Sequence, residues 1–294
     1  MENIVQEKAY AKLNISLDVS KPREDGYHDM RMVMQAISLS DDVEIELCEG
    51  ETLRAESNVS YIPGDERNLA VKAAKLYLME AGLEGKQGAL IRIRKRIPVG
   101  AGMAGGSSDA AAVLRALNSA LHALPAKKLF HVAAKTGSDV AFCLTGGTAL
   151  AEGRGEVLTR LPDLPNCCFV ICKPEFSIST PELFRALDQI RLRAHPDTAG
   201  ICEGLKNGDL KQICRRMYNV FEDVPDRRMN VAKEIRGRLI NAGAEGAIMT
   251  GTGSAVFGIF ENEETANEIC SELKTNYSFA CTAHPIGVQQ PLPD

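Results

Sequence analysis

The sequence predicts an α+β protein of two domains, and three observations carry that prediction. Short segments with alternating polarity near the N-terminus read as strands, and a glycine-rich stretch near residue 100 joins a strand to a strong helix. A run of breakers near residue 160 then separates this unit from a second series of strands and helices. In residues 9–19, Leu13, Ile15, Leu17 and Val19 alternate with Lys12, Asn14, Ser16 and Asp18, the pattern of a half-buried strand. A turn-rich loop over residues 21–26 leads through Tyr27 and His28 into an extended apolar stretch, residues 30–40, and residues 43–47 alternate again. Leu69, Ala73, Leu76 and Tyr77 give residues 68–81 helical spacing, closed by Gly82, and residues 89–94 form a strand that delivers the chain to Pro98. Residues 110–117 favour a helix, a further helix opens at Pro125 and runs through Ala134 to stop at residues 137–142, and residues 146–151 make a turn and a short strand.

Gly153, Gly155, Pro162 and Pro165 mark the boundary, giving domains of residues 1–160 and 161–294. The second reads as a strand (169–172), a helix after Thr180 and Pro181, helices between 199 and 220, a helix (227–242), strands at 247–249 and 255–260, a helix (264–274) and a strand (279–283). That order suits an α+β sandwich with helices on one face of its sheet.

Composition narrows the function classes. With 294 residues, 45% hydrophobic and 25% charged, the chain can bury a sizeable core, and a net charge of −5 argues against a general nucleic-acid or membrane surface. None of the nine cysteines forms a Cys-x-x-Cys pair, so no zinc or disulfide framework is expected. Cys167, Cys168 and Cys172 read as members of a buried strand, since a free thiol behaves as a small hydrophobe. Residues 1–8 lack the apolar core of a signal peptide and no apolar run is long enough to span a bilayer, so a cytoplasmic protein is expected.

The chemistry centres on Pro98-Val99-Gly100-Ala101-Gly102-Met103-Ala104-Gly105-Gly106-Ser107-Ser108-Asp109. Its glycines admit backbone conformations other residues resist, and the helix that follows offers unpaired N–H groups and a positive dipole end to phosphate. The stretch contains G-x-G-x-x-G, but the acidic residue a dinucleotide fold needs about 20 positions onward is missing. Gly106-Ser107-Ser108 has no Walker lysine, and the later motifs of protein kinases are absent. A glycine-rich turn serving close packing alone is the plain alternative.

The same stretch resembles the phosphate loop of the GHMP kinases, small-molecule kinases outside the Walker and protein-kinase schemes. Ala11-Lys12-Leu13-Asn14 with Asp25-Gly26-Tyr27-His28 is similar to the branch that phosphorylates 4-diphosphocytidyl-2-C-methyl-D-erythritol, and residues 249–257 resemble the C-terminal glycine motif of the family. The resemblance implies a ribosomal S5 domain 2-like N-terminal domain and a ferredoxin-like α/β sandwich at the C-terminus. It also implies ATP and Mg²⁺, that small-molecule substrate in non-mevalonate isoprenoid precursor synthesis, and a monomer or homodimer. Another GHMP kinase, for homoserine or mevalonate, and a nucleotide-binding relative without catalysis are the alternatives; the presence of both Lys12 and Asp139 favours an enzyme.

Residue by residue, the resemblance implies that Asp139 takes the proton of the substrate hydroxyl while Lys12 stabilises the transferred phosphoryl group. Without it, Asp139 reads as a helix cap and Lys12 as a solvated charge on a strand. Residues Pro98 to Ser108 would hold the ATP phosphates, with Ser107 and Ser108 also suited to capping, and Asn68 and Lys95 would lie on the adenosine side. Lys95 could instead be one charge of a solvated strand face. Asn14, Tyr27, His28, Thr180, Phe184 and Gly251 would meet the substrate, Tyr27 and Phe184 closing on the cytosine; as plain alternatives, Phe184 is a core residue of its helix and residues 251–254 a hairpin. Asp109 sets a negative charge beside the phosphates, a departure from the branch pattern, where Asn is frequent.

Overall fold

Two unusually long strands organise the first half of the computed structural model, which describes residues 4–24, 26–192 and 194–292. Asp25, within the second resembling motif, and residues 1–3 of the N-terminal segment lie outside the described residues. Strand β1 (Ile4–Pro22) pairs antiparallel with β2 (His28–Glu49), so the two expected strands at 30–40 and 43–47 are one strand of 22 residues. Then follow β3 (Leu53–Ser57), α1 (Leu69–Glu80), β4 (Gln87–Arg94), α2 (Gly105–Leu121), α3 (Ala126–Thr136), α4 (Val140–Thr145), β5 (Thr148–Glu152) and β6 (Val157–Arg160). The rest of the chain supplies β7 (Cys168–Lys173), α5 (Thr180–Leu187), α6 (Thr198–Asn207), α7 (Leu210–Cys214), β8 (Tyr218–Asn219), a 3-10 turn (Val220–Asp223), α8 (Arg228–Asn241), β9 (Gly246–Met249), β10 (Val256–Phe260), α9 (Glu263–Asn276) and β11 (Phe279–Ala283).

The first sheet runs β3-β4-β2-β1-β8, with β5 on the other half of β2 and β6 beyond it; the second runs β11-β7-β10-β9. The architecture is thus the expected α+β pair. Two later segments return to the first sheet: β8 lies parallel to β1, and residues 284–290 bond back to Ala36, Ser38 and Thr145. In the second sheet, Cys168, Val170 and Cys172 face the core under α8 and α9, while Phe169 and Ile171 face a second core. Both faces of β7 are buried, which accounts for its unbroken apolar run.

Strand β1 corrects the half-buried reading. Its register against β2 shifts between Tyr10 and Lys12 and again between Asn14 and Ser16. A one-residue slip exchanges the faces of a strand, so Ala11, Leu13 and Ile15 join the core beneath the second sheet, while Ala9, Leu17 and Val19 join the first. Lys12 and Asn14 are thereby turned to the first-core side, where the Asn14 amide reaches Met32 Sδ at 3.3 Å, and Lys12, Asn14 and Ser16 are all buried.

Candidate active site

The glycine loop is held by backbone on two sides. Lys12 donates its N–H to the Met103 carbonyl (3.2 Å) and Ala255 donates to the Ala101 carbonyl (3.2 Å), which fixes the loop between β1 and the β9–β10 connection. Gly102 has φ +75°, and a Cβ there would lie 2.2 Å from the Thr250 carbonyl oxygen; a Cβ on Gly251 would lie 2.8 Å from the Gly102 carbonyl oxygen. Glycine is needed at both positions for the two loops to touch.

Helix α2 begins at Gly105, five residues before the helix-favouring run, and Gly105 packs on Ile97 and Lys95. Its cap is Ala104, at φ 58°, and no side chain caps the helix. Non-glycine residues adopt this left-handed conformation at a cost of order 1–3 kcal/mol, a strain found at ligand sites. With no side-chain acceptor in place, the first-turn N–H groups are offered to an anion. This corrects the capping role expected of Ser107 and Ser108, which lie inside the first turn. Ser108 is also turned from the cavity: its hydroxyl donates to Tyr10 O (2.7 Å) or Ala104 O (3.0 Å).

Lys12 and Asp139 meet, Nζ to Oδ2 at 3.7 Å, with the lysine 5% and the aspartate 30% exposed. Asp139 occupies the cap position of α4 but makes no capping hydrogen bond, so its carboxylate is directed at Lys12 instead of the helix. Lys12 Nζ also donates to Asn14 Oδ1 at 2.6 Å, and Asn14 N donates to Thr250 Oγ1 at 3.0 Å. The buried ammonium is therefore aimed by two partners, in contrast to a solvated strand charge.

A cavity of about 930 Å³ opens over this pair, lined by the loop from Pro98 to Ser107, by Lys12, Asn68, Lys95 and Asp139, and by Tyr27, His28, Thr180, Phe184 and Gly251. Asn14 and Ser108 are not in its lining. Asn68 is itself the cap of α1: its Oδ1 accepts from Ala70 N (3.0 Å) while its Nδ2 donates to Pro63 O (3.0 Å). On the substrate side the ring facing Phe184 is His28 (centroids 5.0 Å apart), whose Nε2 lies 2.8 Å from Asp188 Oδ1. Tyr27 is 56% exposed, with the Arg154 guanidinium 5.2 Å over its ring. Phe184 also packs edge-on against Phe221 at 4.9 Å, so it serves core and cavity together. Thr180 and Thr252 share a hydroxyl hydrogen bond of 2.9 Å. Asp188, one turn after Phe184 on the same helix face, is a residue that the sequence reading missed and that helical spacing could have found.

Lys95 is buried between two carboxylates, Asp41 and Asp109, the latter at 2.6 Å. This corrects the solvated-face alternative for Lys95, and it gives Asp109 a counter-charge. Burial is the largest influence on Lys95 and pulls its pKa down, but Asp109 and Asp41 hold it above the ordinary value. Asp41 also accepts from the Arg96 and Ile97 N–H groups, whereas Asp109 Oδ1 has no hydrogen-bond partner among the described residues. Burial pushes the Asp109 carboxyl from 3.8 up to about 7, against the pull of Lys95. A raised acid pKa means that the folded chain keeps a proton the unfolded chain has lost. The stability tied to Asp109 is therefore present below 3.8 and lost as pH rises towards about 7. In thermal melts, Asp109→Asn gains on the parent protein as pH rises through that window; a constant difference in Tm would remove Asp109 as the titrating group.

Among the described residues no group of three or more His, Cys, Asp or Glu side chains is placed to hold a metal ion, and no helix is long and apolar enough to cross a membrane.

Known proteins resemble the chain along most of its length. The model described as "GHMP kinases N terminal domain" matches residues 68–147, and "GHMP kinases C terminal" matches residues 201–278. A curated 4-diphosphocytidyl-2-C-methyl-D-erythritol kinase from Clostridium perfringens is 40% identical over 274 residues, covering 93% of this chain and 94% of the relative. The chain belongs to the GHMP kinases. A 4-diphosphocytidyl-2-C-methyl-D-erythritol kinase from Geobacillus kaustophilus is 42% identical to this GHMP kinase over 91% of its length and 92% of the relative. A crystal structure of 4-(cytidine 5'-diphospho)-2C-methyl-D-erythritol kinase superposes with a TM-score of 0.79 at 35% identity, covering 96% of this GHMP kinase and 100% of that chain. Homoserine kinase from Cytophaga hutchinsonii has a TM-score of 0.78 at 21% identity, over 99% of this chain and 96% of that one, a likeness of fold.

Proposed function

We propose that this GHMP kinase transfers the γ-phosphoryl group of ATP to the 2-hydroxyl of 4-diphosphocytidyl-2-C-methyl-D-erythritol, a step of non-mevalonate isoprenoid precursor synthesis. The observation that carries the chemistry is the buried Lys12 facing the Asp139 carboxylate, which is not engaged in capping, in a cavity that the glycine loop also lines. The substrate follows from relatives of that name at about 40% identity along nearly the whole chain.

Phosphoryl transfer needs alignment, charge neutralisation and a proton acceptor more than covalent work. The first-turn N–H groups of α2 and the loop backbone hold the ATP phosphates. Asp139 accepts the proton of the 2-hydroxyl as its oxygen attacks, and the Lys12 ammonium stabilises the charge gathered on the transferring oxygens. His28, oriented by Asp188, offers a ring and a polar edge to the cytosine, and Phe184 supports that ring from behind. Magnesium travels with nucleotide phosphates and takes few protein ligands, so an isolated oxygen donor suits it; among those in the cavity lining, Ser107 stands on the first turn of α2 and would hold it. When bound, it neutralises charge on the β- and γ-phosphates. Nine free thiols fit a reducing cytoplasm.

A substrate panel tests the assignment. With ATP and Mg²⁺, ADP release is expected with the cytidine diphosphate substrate and not with mevalonate or homoserine. Turnover of either of those, with none of the cytidine substrate, would overturn it.

A further inference from the structure

Beyond the reacting pair, a buried side chain of the second half of the chain reaches the catalytic lysine by way of the C-terminal glycine loop. Asn219 is 1% exposed and lies in β8, where it pairs with Leu17 of β1. Its amide nitrogen donates to the carbonyls of Met249 (2.8 Å) and Gly251 (2.8 Å), the two residues flanking Thr250. Its Oδ1 accepts from Phe221 N at 3.1 Å, so every hydrogen-bonding group of the side chain is engaged. Three residues on, Glu222 Oε1 accepts from Met249 N at 2.6 Å and Arg236 holds its other oxygen at 2.8 Å. One short segment thus fixes Met249 at both its N–H and its carbonyl.

Thr250 is the next link. Its Oγ1 accepts from Asn14 N (3.0 Å), and its proton is shared between Asn14 Oδ1 and the Gly102 carbonyl, each 3.4 Å away. Asn14 Oδ1 in turn accepts from Lys12 Nζ at 2.6 Å, and Lys12 faces Asp139 at 3.7 Å. The links are continuous and polar, and Asn219, Thr250, Asn14 and Lys12 are all buried. They join β8 to the ammonium group without passing through the cavity.

We infer that Asn219 is a positioning residue for phosphoryl transfer: by clamping the carbonyls on either side of Thr250 it sets the Thr250 hydroxyl, and through Asn14 that hydroxyl sets Lys12 Nζ. The inference rests on the reading of Lys12 as the charge-stabilising group. Alignment losses near 1 Å cost about 10²-fold in rate, while neither Asn219 nor Thr250 lines the cavity. The expected signature is therefore a fall in kcat with both KM values nearly unchanged.

The test uses the full-length enzyme with Asn219→Ala, Thr250→Val, Thr250→Ser and the Asn219→Ala/Thr250→Val double variant. Steady-state kinetics are normalised to folded protein by circular dichroism and Tm. Asn219→Ala and Thr250→Val should each lower kcat by about 10- to 100-fold with KM for ATP and substrate within about threefold of the parent. Thr250→Ser, which keeps the hydroxyl, should restore most of the loss. The double variant should be no slower than the worse single one, since residues in one network do not act additively. A merely structural Asn219 would lower Tm, leave kcat per folded molecule unchanged and combine multiplicatively with Thr250→Val; that result overturns the inference. If Asn219→Ala does not fold, Thr250→Val decides alone, because full kcat without the hydroxyl breaks the chain of contacts. The parent enzyme in the same assay keeps the two readings apart. A parent inactive on the cytidine substrate sinks the proposed function, whereas an active parent with unimpaired variants sinks only the role of Asn219.

Discussion

Asp139→Asn should lower kcat by about 10²- to 10⁴-fold, the usual range for loss of a general base, while leaving ATP affinity within a few-fold of the parent. The amide is isosteric with the carboxylate, so the α4 cap position, which makes no side-chain capping bond, loses nothing structural. What disappears is the proton acceptor and the negative partner of Lys12, 3.7 Å away. The uncapped first-turn N–H groups proposed to hold the ATP phosphates belong to another helix, α2, so turnover is expected to fall without loss of ATP binding. Steady-state kinetics beside an ATP-binding titration measure both, and near-parental turnover would remove Asp139 from the reaction.

Gly102→Ala is expected to be nearly as damaging through geometry alone. The new methyl would sit 2.2 Å from the Thr250 carbonyl oxygen, a backbone atom with no rotamer to adopt, at a φ of +75° that alanine resists. The two glycine loops must part. Overpacking of this kind costs about 1–3 kcal/mol of stability, and because Lys12 N and Thr250 both contact this loop, kcat should fall by about 10²-fold as well. Gly82→Ala provides the control: its φ is +68°, yet nothing lies within 4 Å of the added methyl. That variant should show the backbone strain in its Tm and no change in kcat. Equal losses of activity in the two variants would attribute the effect to strain and not to the contact between loops.

The parts of this site that were legible beforehand are those whose chemistry demands contiguous residues. The glycine loop, the Lys12-Leu13-Asn14 strand and the C-terminal glycine motif each carry their meaning within a dozen positions, and the cavity gathers residues from all three. The α+β order of elements was legible for the same reason, since helical and strand periodicities are local. What escaped is assembled by the fold. The burial of Lys12 depends on two register shifts that leave no trace in an otherwise regular alternation. Asp41 and Asp109 flank Lys95 from positions 54 and 14 residues away, separations that no local pattern connects. β3, β6 and β8 are short and weakly patterned, and each exists because a longer neighbour supplies its hydrogen bonds. Residues 137–142, read as a helix stop, contain the start of α4, whose six residues are all buried, so tertiary packing decides their conformation.

The two hydrophobic cores share β1, and this limits how the enzyme can open. Ala11, Leu13 and Ile15 are anchored beneath the second sheet while Leu17 and Val19 are anchored in the first, all within one strand. A hinge drawn between the two halves would have to extract one of these sets into water, at about 1.5–3 kcal/mol for each large aliphatic side chain. The glycine loops, touching backbone to backbone, add a second fastening across the same line. Nucleotide and substrate must therefore come and go by local movements at the rim, where Tyr27 and Arg154 lie, around a floor that stays shut and keeps Lys12 and Asp139 registered from one turnover to the next.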